Sequence, residues 1–245
     1  MRIRLRPIGW KYKPLLLHLL SPFSASASSF YRGHYLVDQD FFRRAFTALS
    51  LNGIDGDYVE FGCYSGMTFS LAYQESRRAG KQCKLWAFDS FSGFPAQKGL
   101  QDDRAIESSM RMELDDFHSI CKKSGIPPSA YEVVPGYYEV TLNTETSTSN
   151  LPSNICMAYV DCVWYSSTLL VLKFLLPHFK HGMILAFDDY YCWSQTKMSG
   201  ERNACLRLLK NNANWRLVPY IQYGWHGMSF MIESKALNDE LTAAS

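Results

Sequence analysis

The chain has 245 residues, 47% of them hydrophobic and 20% charged, with a formal net charge of +2. A chain of that length buries a sizeable core without staples, and the near-neutral balance excludes a nucleic-acid binder that works through a basic face. Seven cysteines, at 63, 83, 121, 156, 162, 192 and 205, are odd in number and lack CxxC spacing. Several lie in apolar runs, so the sequence predicts reduced thiols and a cytoplasmic protein.

Residues 1–34 form a basic arm, "MRIRLRPIGWKYKPLLLHLLSPFSASASSF" with a short tail. Basic residues, then leucines, then small residues are the order of a signal peptide, but His18 and two prolines interrupt a short apolar stretch. A bilayer span takes about 20 apolar residues, so no transmembrane segment is expected. The arm reads as a packed or loose extension, with contact to a membrane surface or a partner as the alternative.

Residues 35–245 read as one domain. "LVDQDFFRRAFTALSLN" has helical periodicity and stops at Asn52-Gly53. "DYVEFG" is a short strand, "SGMTFSLAYQESRRAG" a helix, and "CKLWAFD" a strand closing on Asp89. After a Gly- and Pro-punctuated loop, a helix is predicted over Arg104–Lys123, then the strand "YEVVPG" and the polar connector "NTETSTSNLPSN". "ICMAYVD", "SSTLLVLKFLLPHF" and "GMILAFDD" read as strand, helix and strand, and "GERNACLRLLKNNAN" as a helix. "WRLVPYIQY" and "GMSFMIES" are strands too close together for a helical crossover.

Alternating strands and helices predict an α/β fold: a doubly wound, mostly parallel, Rossmann-like sheet with a C-terminal antiparallel hairpin at one edge. Such sheets bind ligands beyond the carboxyl ends of their strands. "VEFGCYSGMTF" is a strand, a glycine turn and a helix start, with Glu60, Gly62 and Gly66 as ExGxxxG. It is not GxGxxG, which argues against a nicotinamide oxidoreductase and suits a nucleoside without a pyrophosphate. Asp89, at the next strand tip, is placed to accept hydrogen bonds from ribose hydroxyls. Asp161, Asp188 and Asp189 end two strands whose tips, if adjacent, lie about 5 Å apart. Crowded carboxylates call for a hard divalent cation such as Mg2+; the plainer alternative is helix capping or pairing with Lys or Arg.

These segments resemble class I S-adenosylmethionine-dependent methyltransferases, and more narrowly the macrocin O-methyltransferase family, which methylates sugar hydroxyls on natural products. "YVEFGCYSG", "LWAFDSFSGFP" and "VVPGYYEVTL" carry the resemblance in the first half. It implies that Glu60, Gly62 and Gly66 line the methionine end of S-adenosylmethionine and Asp89 holds the ribose. Ser90 and Phe91 then lie near the adenosine, and Gly136, Tyr137 and Thr141 take recurring family positions. In the second half Asp161, Tyr165, Ser167, Thr168, Asp188, Asp189 and Tyr190 match the family pattern, as do Gly200, Arg202 and Ala204 of "GERNACLRLL". The family's metal ligands fall on Asp161, Asp188 and Asp189. The implied partner is a small-molecule sugar or glycan acceptor, with no nucleic acid, and the protein is expected to be a homo-oligomer.

The sequence departs from the family at one chemically important place. The second acid of the family's D-x-D, which can take the acceptor proton, is Val163 here, followed by Trp164. Three readings follow: another base (His226, Tyr165 or His181), loss of the proton to bulk water, or a catalytically silent cofactor-binding protein acting through a partner. Tyr190, Tyr191, Trp193, Tyr220, Tyr223 and Trp225 could stack on a sugar, though aromatic residues at sheet ends usually pack.

Overall fold

The computed structural model describes residues 22–95, 110–143, 150–191 and 193–237, with side chains from Gly33 onward. Most of the basic arm, the first part of the helix predicted from Arg104, half of the polar connector and Cys192 lie outside these residues.

Seven strands form one sheet: β1 (Asp57–Phe61), β2 (Leu85–Asp89), β3 (Tyr131–Pro135), β4 (Ile155–Val160), β5 (Ile184–Phe187), β6 (Trp215–Tyr223) and β7 (Gly227–Ser234). Their order is β3-β2-β1-β4-β5-β7-β6. The first five pair in parallel, β7 pairs antiparallel with both β5 and β6, and β6 is the edge. The doubly wound sheet with a hairpin edge is therefore what the chain forms. The chain winds outward from β1 in one direction and from β4 in the other, so the switch point lies between β1 and β4.

Strand periodicity divides the core. On one face Tyr58, Met157, Tyr159, Ile184 and Ala186 pack against α1 (Pro22–Leu51), α2 (Met67–Arg78) and α3 (Leu114–Lys123). On the other, Val59, Phe61, Ala158, Val160, Leu185 and Phe187 pack against α5 (Tyr165–Leu175) and α6 (Gly200–Leu209). A one-turn helix, α4 (Tyr138–Thr141), follows β3. Because both faces are covered, every residue of β4 is buried, which explains its unbroken apolar run.

Two boundaries differ from the sequence expectation. Helix α1 begins at Pro22, inside the stretch assigned to the arm, and buries Phe41, Phe42, Ala45, Phe46 and Leu49 at helical spacing. Helix α3 begins only at Leu114; residues 110–113 are not helical, and Met110 and Arg111 instead pass beside the Gly93 turn. Among the described residues no helix is long and apolar enough to cross a membrane. Six cysteines, at 63, 83, 121, 156, 162 and 205, are free and buried.

Candidate active site

A cleft opens at the carboxyl ends of the strands, across the switch point. Gly62, Asp89, Ser90, Gly136 and Tyr137 line one side of it, and Asp161, Cys162, Val163 and Ser167 the other, with Phe94 and Met110 at its walls.

The first half is built by short main-chain bonds. Asp89 ends β2 and accepts the N–H of Cys63 at 2.7 Å through Oδ2 and that of Phe91 at 2.8 Å through Oδ1. Burial pushes its carboxyl up, and these bonds to the ionised form oppose that. Each oxygen keeps a lone pair for a ligand hydroxyl. Gly62 has φ 91°, and a Cβ there would stand 2.0 Å from the Asp161 carbonyl oxygen, so it is glycine because β1 and β4 touch at their tips. Gly66 starts α2 at φ 63°. Ser90 Oγ donates to the Gly93 carbonyl at 2.6 Å and closes the turn after β2. Phe91 turns away from the cleft into the core beside Phe117, so it contributes its N–H rather than its ring. Tyr137 is half-exposed at the rim.

Glu60 is not in the cleft wall. It lies wholly buried beneath it, accepting the hydroxyls of Tyr58 and, at 2.9 Å, of Thr68. Burial raises its carboxyl to about 8, with Asp188 and Asp89 adding to the rise and the two hydroxyls opposing it.

The second half concentrates negative charge. Carboxylate oxygens of Asp161, Asp189 and Glu201 all lie within 4.8 Å of one another. Burial raises the Asp161 carboxyl well above the usual range, and Asp188, Glu201 and Asp189 raise it further, in that order. Glu201 was not picked out by sequence reasoning; an acid in a helix's first turn is ordinary dipole chemistry and carries no other mark. Asp188 and Asp189 follow directly on the end of β5 and make different contacts. Asp188 faces α1, accepting the Tyr159 hydroxyl at 2.5 Å and standing 3.5 Å from His226 Nδ1, while the Asp189 N–H bonds Glu201 beside α6. Asp188 is still the strongest charge acting on Asp161, so the three expected aspartates share one acidic region, and Glu201 joins Asp161 and Asp189 as a further acid in it.

The candidate bases are not brought to Val163. His226 is buried with Nδ1 2.9 Å from the Asp188 carbonyl oxygen, stacks on His34 at 5.2 Å, and does not line the cleft. Tyr165 is buried in the core on the α5 and α6 face, under Arg207, and His181 accepts the Ser234 N–H at the opposite end of the sheet. Val163 itself lines the cleft at φ 62°, with the Trp164 N–H bonded to the Cys162 carbonyl at 2.6 Å around it. This is a γ-turn of the rare positive-φ kind, which a β-branched side chain disfavours. Cys162 and Val163 line the cleft, and Trp164, buried behind them, packs on Phe94 of the wall. Of the aromatic residues, Tyr190 and Tyr223 are core packing and Trp225 is exposed.

A family model described as macrocin-O-methyltransferase (TylF) matches residues 37–210. No curated protein sequence matches the chain. Among solved structures, the O-methyltransferase NovP is similar at 20% identity and TM-score 0.66, covering 81% of this chain and 80% of that one. CalS11, a calicheamicin methyltransferase, is similar at 20% identity and TM-score 0.62, covering 90% of each chain. The O-methyltransferase TomG from Streptomyces achromogenes, in complex with SAM, is similar at 10% identity and TM-score 0.51, covering 80% of each. These likenesses establish the class I methyltransferase fold.

Proposed function

The chain belongs to the macrocin-O-methyltransferase (TylF) family, and from that premise we propose that it is an S-adenosylmethionine-dependent O-methyltransferase. Its acceptor is a hydroxyl on a sugar or on a glycan or natural-product precursor, and a divalent cation such as Mg2+ assists. One observation carries the reading: a single cleft joins Asp89, the ribose candidate, to Asp161, the cation candidate.

The residues present fit both groups. S-adenosylmethionine supplies a methyl group on a sulfonium. Asp89, held by two N–H groups, accepts from the ribose hydroxyls; Ser90 and the Phe91 N–H shape the turn beside the adenosine, and Gly62 leaves the cleft floor open. Glu60, Gly66, Gly136 and Tyr137 complete the cofactor half, Glu60 as a buried carboxyl raised to about 8 beneath the methionine end. Asp161, Asp189 and Asp188 would hold the cation, which relieves the repulsion raising Asp161. A bound dication supplies Lewis acidity that makes an acceptor hydroxyl more acidic. The protein's main contribution is alignment of donor and acceptor. With Val163 at the turn, no side chain there takes the acceptor proton, and it leaves to water in the cleft. Buried thiols suit a cytoplasmic enzyme; homo-oligomer formation and membrane contact through the basic arm are tested by sedimentation and by vesicle binding.

A second reading, a silent cofactor-binding protein acting through a partner, is favoured by Val163 alone. Calorimetry with S-adenosylmethionine and Mg2+, followed by methyl transfer to a panel of sugar acceptors, separates the two. Under the first reading wild type turns over slowly and Val163→Asp raises the rate about 100-fold or more, the usual contribution of a placed base. Cofactor binding with no transfer by either protein supports the second. Absence of cofactor binding removes both.

A further inference from the structure

Glu201 is wholly buried in the first turn of α6, and its carboxylate is used on main chain. Oε1 accepts the N–H groups of Cys162 and Val163, both at 3.1 Å, and Oε2 accepts the N–H of Asp189 at 2.9 Å. One side chain therefore bridges the turn after β4 and the turn after β5, the two that carry Asp161 and Asp189. The turn on the β4 side is the strained one, with Val163 at φ 62°. Gly200 seats the start of α6 directly on it: a Cβ there would stand 2.5 Å from the Val163 carbonyl oxygen and 2.4 Å from the Tyr165 nitrogen. Ser199 Oγ ties the same helix start to the Tyr190 carbonyl at 3.0 Å.

We infer that Glu201 is a positioning residue for the acceptor half of the cleft: by gripping both turns through their amides it fixes the spacing of Asp161 and Asp189 and holds Val163 in its strained turn. The inference rests on the proposal that those carboxylates take a divalent cation. A carboxylate is required because only it presents acceptors to both turns. In glutamine one end becomes an NH2 group, which must face an N–H on one turn or the other. The isosteric Glu201→Gln change therefore releases one strand tip while altering little volume.

The test compares wild type with Glu201→Gln by Mn2+ and S-adenosylhomocysteine calorimetry and by hydrogen exchange at amides 162, 163 and 189. The expected result is Mn2+ affinity reduced about 10-fold or more, the usual consequence of losing a group that orients ligands. S-adenosylhomocysteine affinity stays the same, and exchange accelerates at one of the two turns. Unchanged Mn2+ affinity overturns the inference. So does lost affinity with all three amides still protected, which would make Glu201 a ligand. A wild type that binds no cation sinks the cation reading itself, a result distinguishable from both. If Glu201→Gln does not fold, the same measurements are made on it in a Val163→Gly background, where glycine removes the φ penalty.

Discussion

The two halves of the cleft are built on opposite electrostatic plans. In the β1–β2 half, the carboxylate of Asp89 is satisfied by N–H groups from neighbouring loops, and the site is complete before any ligand arrives. In the β4–β5 half, Asp161, Asp189 and Glu201 crowd together, and burial with the surrounding acids raises the carboxyls of Asp161 and Glu201 well above their ordinary values. The difference teaches that a preformed half recognises its ligand by shape and hydrogen bonds, whereas a charge-crowded half is finished by the ligand it binds. It also separates stability from function: the first half adds to the fold, and in the second Glu201 adds to the charge crowding while its bonds to three main-chain N–H groups hold the two turns together.

The sharpest way to break that contrast is Asp161→Asn. The substitution removes charge where three other acids converge, so divalent-cation affinity and methyl transfer should both be lost, with turnover down about 1,000-fold or more if Lewis-acid assistance is the main electrostatic effect. Thermal stability without metal should rise, because repulsion is relieved at nearly constant shape. Calorimetry and a melting curve check the two arms; a variant that loses stability and keeps cation affinity would show that the second half does not await a cation.

How much of this was legible in the sequence follows the same division. The places of Gly62, Asp89 and Ser90 at the cleft were readable because their geometry is local, a glycine turn and the next strand tip, whereas the burial of Glu60 beneath the cleft was not. The doubly wound, mostly parallel sheet and the hairpin edge were readable for the same reason, from apolar strands and connection lengths. Glu201 was not, because it reaches the site across about 40 residues of chain and looks like any first-turn acid. The separate contacts of Asp188 and Asp189 were not legible, because both lie past the end of β5, where the backbone turns. The placement of His226 and Tyr165 away from Val163 is likewise tertiary, set by the β6–β7 hairpin and by α5 packing. The helix predicted from Arg104 shows the limit of periodicity: residues 110–113 are claimed by the Gly93 turn instead.

A smaller effect is expected in the finished half. Asp89→Ala removes an acceptor for the ribose and strands the N–H groups of Cys63 and Phe91. S-adenosylmethionine affinity should fall about 10- to 100-fold, in line with about 1.5–3 kcal/mol for hydrogen bonds to a charged group. Stability should also fall by about 1–3 kcal/mol for the orphaned donors. Divalent-cation affinity should not move. If Asp89→Ala weakened cation and cofactor equally, the halves would be one coupled unit and the contrast would fail.

The least effect on turnover is expected from Glu60, which lies beneath both halves. Burial holds its carboxyl protonated up to about pH 8, whereas in the unfolded chain it ionises near the ordinary 4.5. Between those values the native state binds the extra proton, so this group's contribution to stability is fully present below about pH 4.5 and is lost as pH rises toward 8. The slope approaches about 1.4 kcal/mol per pH unit for a single proton. Glu60→Gln keeps a neutral acceptor for Tyr58 and Thr68 and should flatten urea-derived stability between pH 5 and 8 while changing turnover little. A cationic cofactor opposes the rise, so S-adenosylmethionine binding at pH 7 should release a proton from wild type and not from Glu60→Gln, as calorimetry in buffers of different ionisation enthalpy reads directly. Equal proton release from both proteins would place the titrating group elsewhere and leave Glu60 as packing.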